Sequence, residues 1–169
     1  MLFRSGGRQL IEFGKQAAKV EAMGTAFTNL AGGGKEATVM ITALKKATNG
    51  AMSEMDLFKQ ANNAMILGIT KNSDEMAEMF DIAQRLGRAL GKDTAQSVES
   101  LVTGIGRQSR LMLDNIGIIV KSEKAYEKYA SKLGITSSEL TDTEKKTGFF
   151  KRYIRSCKRQ VKKFRGRGC

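Results

Sequence analysis

Residues 73–91 read SDEMAEMFDIAQRLGRALG, and this segment predicts the fold class of the chain. Its apolar residues recur at spacings of three and four, which places them on one face of a helix. These residues are Met76, Met79, Ala83, Leu86 and Leu90. Ser73 can cap the first turn and Gly91 can end the last one. The segment therefore predicts an amphipathic helix with its own start and stop.

Similar segments lie on both sides of this one. They predict further helices over 8–31, 35–49, 53–68, 94–105, 109–115, 122–133 and from residue 141 onward. The apolar run 116–120 also admits a brief strand. The chain contains no proline, a residue that breaks helix interiors and that turn-rich β folds often use. The sequence predicts an all-α protein, an array of short helices with a longer N-terminal helix and a basic amphipathic C-terminal helix.

Several predicted helix starts carry residues that can cap the free backbone N–H groups. Ser53 and Ser122 stand at two of them, and Thr141-Asp142-Thr143-Glu144 has the form of a capping box. Asn49-Gly50 is a typical helix stop. One continuous rod would need none of these signals, so we expect separate helices that pack together.

The composition argues against an enzyme. Histidine, the commonest general base and metal ligand, is absent, and the two cysteines lie near the C-terminus. The Gly32-Gly33-Gly34-Lys35 stretch lacks the hydroxyl residue that a phosphate-binding loop places after its lysine. We therefore predict no catalytic, cofactor-binding or metal-binding residues and no small-molecule substrate. No apolar run approaches the ~20 residues of a membrane span, and the N-terminus lacks the apolar core of a signal peptide.

The N-terminal part, 1–31, contains a seam of apolar residues with a coiled-coil-like period. Its large or central members are Leu10, Phe13, Ala17, Val20 and Phe27. The seam predicts either self-association into a homo-oligomer or a core-facing stripe in a single-chain bundle. On the first interpretation, Phe13→Asp combined with Phe27→Asp should abolish association.

The C-terminal part, 151–169, is strongly basic, whereas the body, 35–150, is nearly neutral. It contains nine cationic residues and no acidic ones, so most of the net charge of +12 lies there. The nine are Lys151, Arg152, Arg155, Lys158, Arg159, Lys162, Lys163, Arg165 and Arg167. Apolar residues between Phe150 and Phe164 keep a helical spacing, which indicates a basic amphipathic helix. We expect it to bind an anionic partner, to be frayed in the free protein, and to be removable without loss of the body's helices.

Six segments of the chain resemble a conserved part of the phage tail tape measure proteins. They are ALKKATNG at 43–50, MDLFKQANNA at 55–64, AQRLGRALG at 83–91, ESLVTGIGR at 99–107, LDNIGI at 113–118 and KAYEKYA at 124–130. Their order and spacing are similar to those of the family over residues 16–150. The family often has a proline next to Ser109, where this chain has Arg110, and its members continue much further. The resemblance therefore implies a fragment, a truncated prophage product or one piece of a split tape measure.

The resemblance also implies a function. Tape measure proteins are virion structural proteins that occupy the tail tube lumen and set tail length. During assembly they are located in the host cytoplasm. Implied partners are tail tube proteins, tail-tip proteins and tail assembly chaperones, and the family segment carries no catalytic residues. The alternative is a nucleic-acid or anionic-membrane-surface binding module that acts through the basic C-terminal helix, with the body as scaffold.

Overall fold

Eight helices account for most of the residues in the computed structural model, which describes residues 5–114, 117 and 122–165. They are α1 (Ser5–Ala31), α2 (Gly34–Ala47), α3 (Glu54–Ile66), α4 (Ser73–Ala89), α5 (Thr94–Gly106), α6 (Arg110–Asp114), α7 (Ser122–Leu133) and α8 (Asp142–Arg165). No strand occurs within the described residues, and the prediction of an all-α fold is confirmed. The possible strand at 116–120 falls, apart from Gly117, outside them.

The predicted capping box at the start of α8 is present. The backbone N–H of Glu144 donates to Thr141 Oγ1 at 3.3 Å, and the backbone N–H of Thr141 donates to Glu144 Oε2 at 2.8 Å. Ser53 caps α3 as predicted, since its Oγ accepts from the Asp56 backbone N–H at 3.1 Å. These bonds satisfy donors that the first turn of a helix leaves free.

The cap of α4 is one residue earlier than predicted. Asn72, in an extended conformation, accepts the Glu75 N–H at 2.9 Å through its Oδ1, and Ser73 is already helical. Asparagine and serine are equally good caps, so residue type alone does not choose between them. The α2 stop is also displaced: the helix ends at Ala47, and the left-handed backbone of Asn49 and Gly50 turns the chain after it.

Helix α4 lies at the centre of the fold and packs against α2, α5 and α8. The buried residues of α4 cover a wider part of the helix surface than the single apolar face predicted from the sequence. Its buried residues are Met76, Met79, Phe80, Ile82, Ala83, Gln84, Leu86 and Gly87. The approach of α5 is close enough that a Cβ atom on Gly87 would lie 2.7 Å from Ser97 Cβ. Leu90, predicted to share the apolar face, lies beyond the helix end and is exposed.

A buried amide joins α4 to the turn that follows α2. Gln84 Nε2 donates to the Thr48 carbonyl at 2.5 Å, and Asn49 Nδ2 donates to Gln84 Oε1 at 3.2 Å. Both ends of the buried Gln84 amide are therefore paired, as buried polar groups require.

Helix α8 passes without interruption through residue 150, where the basic tail was predicted to begin. Its apolar side chains are part of the core and pack against α4, α5 and α7. They are Phe149, Phe150, Tyr153, Ile154 and Cys157. Residues 151–157 therefore belong to the folded body, and the backbone is helical through Arg165 rather than frayed. The sequence spacing predicted an apolar face on this helix. It did not predict that the body of the same chain buries this face.

Two truncations should separate the packed part of α8 from the rest. A chain ending at residue 150 loses the buried Tyr153, Ile154 and Cys157, each worth about 1.5–3 kcal/mol of burial. The summed loss, on the order of 5 kcal/mol, is comparable with the whole stability of a small domain. We expect that chain to be largely unfolded by circular dichroism and urea titration. A chain ending at residue 159 keeps every described buried side chain. It should melt cooperatively, at a temperature near the melting temperature of the full-length chain. Equal stability of the two truncated chains would contradict the packing described here.

Candidate functional site

Helices α7 and α8 pack closely because a glycine faces a tyrosine at their contact. A Cβ atom on Gly148 would lie 2.8 Å from Tyr129 Cβ, too close for any larger residue without a shift of α7. One turn away, the rings of Tyr126 and Phe149 lie 6.4 Å apart between centroids. These contacts fix the separation of the two helices.

A side-chain bridge holds α7 beside the start of α8. The Tyr126 hydroxyl donates to Gln108 Oε1, and Gln108 Nε2 donates to Asp142 Oδ1 at 3.2 Å. Burial raises the pKa of Tyr126, so its hydroxyl remains a hydrogen-bond donor at neutral pH. Asp142 also pairs with Lys146 at 2.7 Å, which lowers the pKa of its carboxyl group and keeps it an acceptor.

A basic groove of about 350 Å³ lies between α7 and α8. Its cationic lining residues are Lys128 and Lys132 from α7, and Lys151, Arg152, Arg155 and Arg159 from α8. No aspartate or glutamate is among the described residues that line it. Two contacts position the α8 wall. The Lys151 ammonium lies 5.9 Å from the Tyr129 ring centroid, and Arg152 Nη1 donates to the Lys124 carbonyl at 3.4 Å.

The charges of the basic groove are not balanced by protein carboxylates. Within the part of the chain that the structure describes, none of its six cations takes part in an ion pair. Like charges gathered in a concave site repel one another and raise the local potential. An anion in the groove would relieve this repulsion.

The opposite flank of α8 faces acidic residues of α4. There Lys158 forms an ion pair with Glu78 of α4, and Asp81 accepts from Arg85 Nε at 2.8 Å. A second cavity, of about 370 Å³, contains these residues together with Arg155 and Arg159. Glu78 of α4 thus pairs with Lys158, whereas Arg155 and Arg159, which line both cavities, form no ion pair within the described residues.

The structure brings together four of the nine basic residues predicted to bind an anionic partner. Lys151, Arg152, Arg155 and Arg159 line the basic groove, and Lys158 points to α4 instead. The backbone of Lys162, Lys163 and Arg165 is in α8 but their side chains are not described, and Arg167 lies outside the described residues.

Sequence reasoning missed Lys128 and Lys132 of α7. Their spacing of four residues places them on one helix face, and that signal was available. The sequence did not indicate which helix this face would contact.

The apolar seam of α1 divides into two parts. Phe27 is 1% exposed and packs on Phe58 of α3, with ring centroids 5.2 Å apart. Residues 14–19, including Ala17, are exposed, and Val20 is half-buried. The side chains of Leu10 and Phe13 are not described. Phe27 therefore belongs to the core of this chain, and the proposed Phe27→Asp substitution would disturb folding rather than test association.

The described residues contain no group of three or more Cys, Asp or Glu side chains that could hold a metal ion. None of their helices is long and apolar enough to cross a membrane.

The fold and the groove define an all-helical protein with a basic cleft between its last two helices. Comparison with known proteins adds no family: no protein-family model matches the sequence. No solved structure matches the fold. The similarity to tape measure proteins remains a prediction from the six sequence segments.

Self-association through the seam of α1 can be tested without substituting the buried Phe27. Phe13→Asp combined with Ala17→Asp places two charges on the seam and should convert an oligomer to a monomer in sedimentation velocity runs. Ala18→Asp with Ala22→Asp is the matched control, because both alanines are exposed and lie off the seam. The control should sediment as the unsubstituted chain does. A monomeric unsubstituted chain at high concentration would rule out this role for the seam.

Proposed function

We propose that this chain is a structural and assembly protein of a phage tail, similar in role to the tape measure proteins that occupy the tail tube lumen and set tail length. In this role it catalyses no reaction. Its partners are tail tube and tail-tip proteins and the tail assembly chaperones, and it works in the virion and, during assembly, in the host cytoplasm.

The observation that carries the proposal is that the resembling segments contact each other in the fold. Thr48 and Asn49, from 43–50, hydrogen-bond to Gln84, from 83–91. Gly104, from 99–107, packs so closely on Leu113, from 113–118, that a Cβ atom there would lie 2.6 Å from Leu113 Cδ2. The similarity therefore includes residues that determine packing, which composition alone would not preserve.

The distribution of those segments also supports the proposal. They fall in α2 through α7 or in the turns between them, and α2, α3, α4, α5 and α6 form one connected set of contacts. A structural protein requires a stable body and surfaces for partners, and an arrangement of catalytic groups is unnecessary. The described part of this chain has the same character: its buried residues are mainly apolar.

Co-purification with tail proteins tests the proposal. The tagged chain is co-expressed with the tail tube protein and the tail assembly chaperone encoded near its gene, and each is sought in the purified complex. We expect at least one of the two to be retained. If partners recognise the folded body, the chain ending at residue 159 should retain them and the chain ending at residue 150 should not. Retention of the chaperone by both chains would show binding to unfolded chain only. Failure of the folded chain to retain either protein would contradict the proposed role.

A further inference from the structure

We propose that the basic groove between α7 and α8 binds the phosphodiester backbone of a nucleic acid. Lys128 and Lys132 of α7 form one wall, and the arginine-rich face of α8 forms the other. This inference is independent of the phage-tail role, because it rests on charge and shape alone.

The chemistry of the groove suits phosphate. Three of its cations are arginines, whose planar guanidinium groups can hold two phosphate oxygens at once. Lys128 and Lys132 add mobile point charges on the facing wall. The other lining residues are uncharged, so an approaching phosphate meets six cations and no carboxylate among the described lining residues. Its binding replaces repulsion among the six cations with attraction.

The length of the groove suits a strand rather than one small anion. Lys151 and Arg159 lie eight residues apart on α8, which is ~12 Å along the helix. A nucleic-acid duplex places one phosphate per strand every ~3.4 Å of its axis, so a wall of this length can meet several phosphates. A single phosphate could contact only part of it.

The packing of α8 disfavours the membrane-surface alternative. An amphipathic helix that binds a bilayer inserts its apolar face among the lipids. Here the described part of that face, from Phe149 to Cys157, is buried against the protein's own helices. Among the described residues of α8, the charged side is the free one. It lines a groove, which matches a backbone that enters a cleft better than a flat surface.

We expect the groove cations to contact phosphate rather than base edges, so that recognition of base sequence is weak. Asparagine and glutamine, which read adenine edges through paired hydrogen bonds, are absent from its described lining residues. Tyr129 is engaged by Lys151 on one wall. Contacts with phosphate fix the position of the protein on the nucleic-acid backbone and carry no sequence information. Affinity should therefore depend strongly on salt and weakly on base sequence.

Salt-dependent binding of two lysine-pair variants tests the proposal. The full chain is titrated against a short fluorescent DNA duplex, and anisotropy is measured at several salt concentrations. If all six groove cations contact phosphate, the logarithm of the affinity should fall with that of salt at a slope of about −5. Lys128→Gln with Lys132→Gln should make the slope shallower by about 2 and weaken binding roughly tenfold.

The matched control is Lys15→Gln with Lys19→Gln. This pair also lies four residues apart on an exposed helix, and it removes the same charge outside the groove. It should change affinity less than about twofold, and both double variants should keep the helix content and melting temperature of the unsubstituted chain. Equal weakening by the two pairs would overturn the proposal, since net charge alone would then explain binding. So would an unchanged slope in the Lys128/Lys132 variant.

A third arm distinguishes nucleic acid from lipid headgroups. Vesicles of phosphatidylserine and phosphatidylcholine present negative charge on a lipid surface, without the continuous phosphodiester backbone of a nucleic acid. We expect them to bind more weakly than DNA at equal salt and to respond to both lysine pairs alike. Vesicle binding that equals DNA binding and is lost only in the Lys128/Lys132 variant would assign the groove to anionic membranes instead.

Discussion

The apolar face of α8 is buried against the rest of the protein, and the remaining features of the C-terminal half follow from this contact. Phe149, Phe150 and Tyr153 are buried where α8 packs against α4, α5 and α7. Without them, the central helix α4 would expose one flank. The same contact turns the charged side of α8 outward, so a segment that resembles a detachable basic tail is also a structural helix.

The two flanks of α8 illustrate how packing separates structural charge from charge that is free to bind. On the α4 side, Glu78 pairs with Lys158, and such partly exposed pairs contribute little stability. On the α7 side, close packing of Gly148 on Tyr129 narrows the gap until the cations of both helices line one groove. A structural role for the body and a nucleic-acid role for the groove are compatible, because the groove lies outside the contacts that join α2 to α6.

Much of the fold could be predicted from local sequence, because helix starts and stops depend on neighbouring residues. Ser53 and the capping box from Thr141 to Glu144 are examples, and four groove cations followed from the charge of 151–169. The partner of each apolar face could not be predicted, since helical spacing says which residues are buried but not by what. For this reason the sequence left open whether Phe27 packs on another chain or, as the structure shows, on Phe58, and Lys128 and Lys132 were missed.

The accessibility of one thiol tests most directly whether α8 is a packed helix of the fold. Cys157 is fully buried, and burial raises the pKa of its thiol to about 12, so the reactive thiolate is scarce in the native protein. With Cys169→Ala to leave a single thiol, the labelling rate is measured at increasing urea concentration. The structure predicts labelling only through global unfolding, with the same urea dependence as the loss of helix signal. Rapid labelling in the absence of urea, at the rate of an unfolded chain, would contradict it.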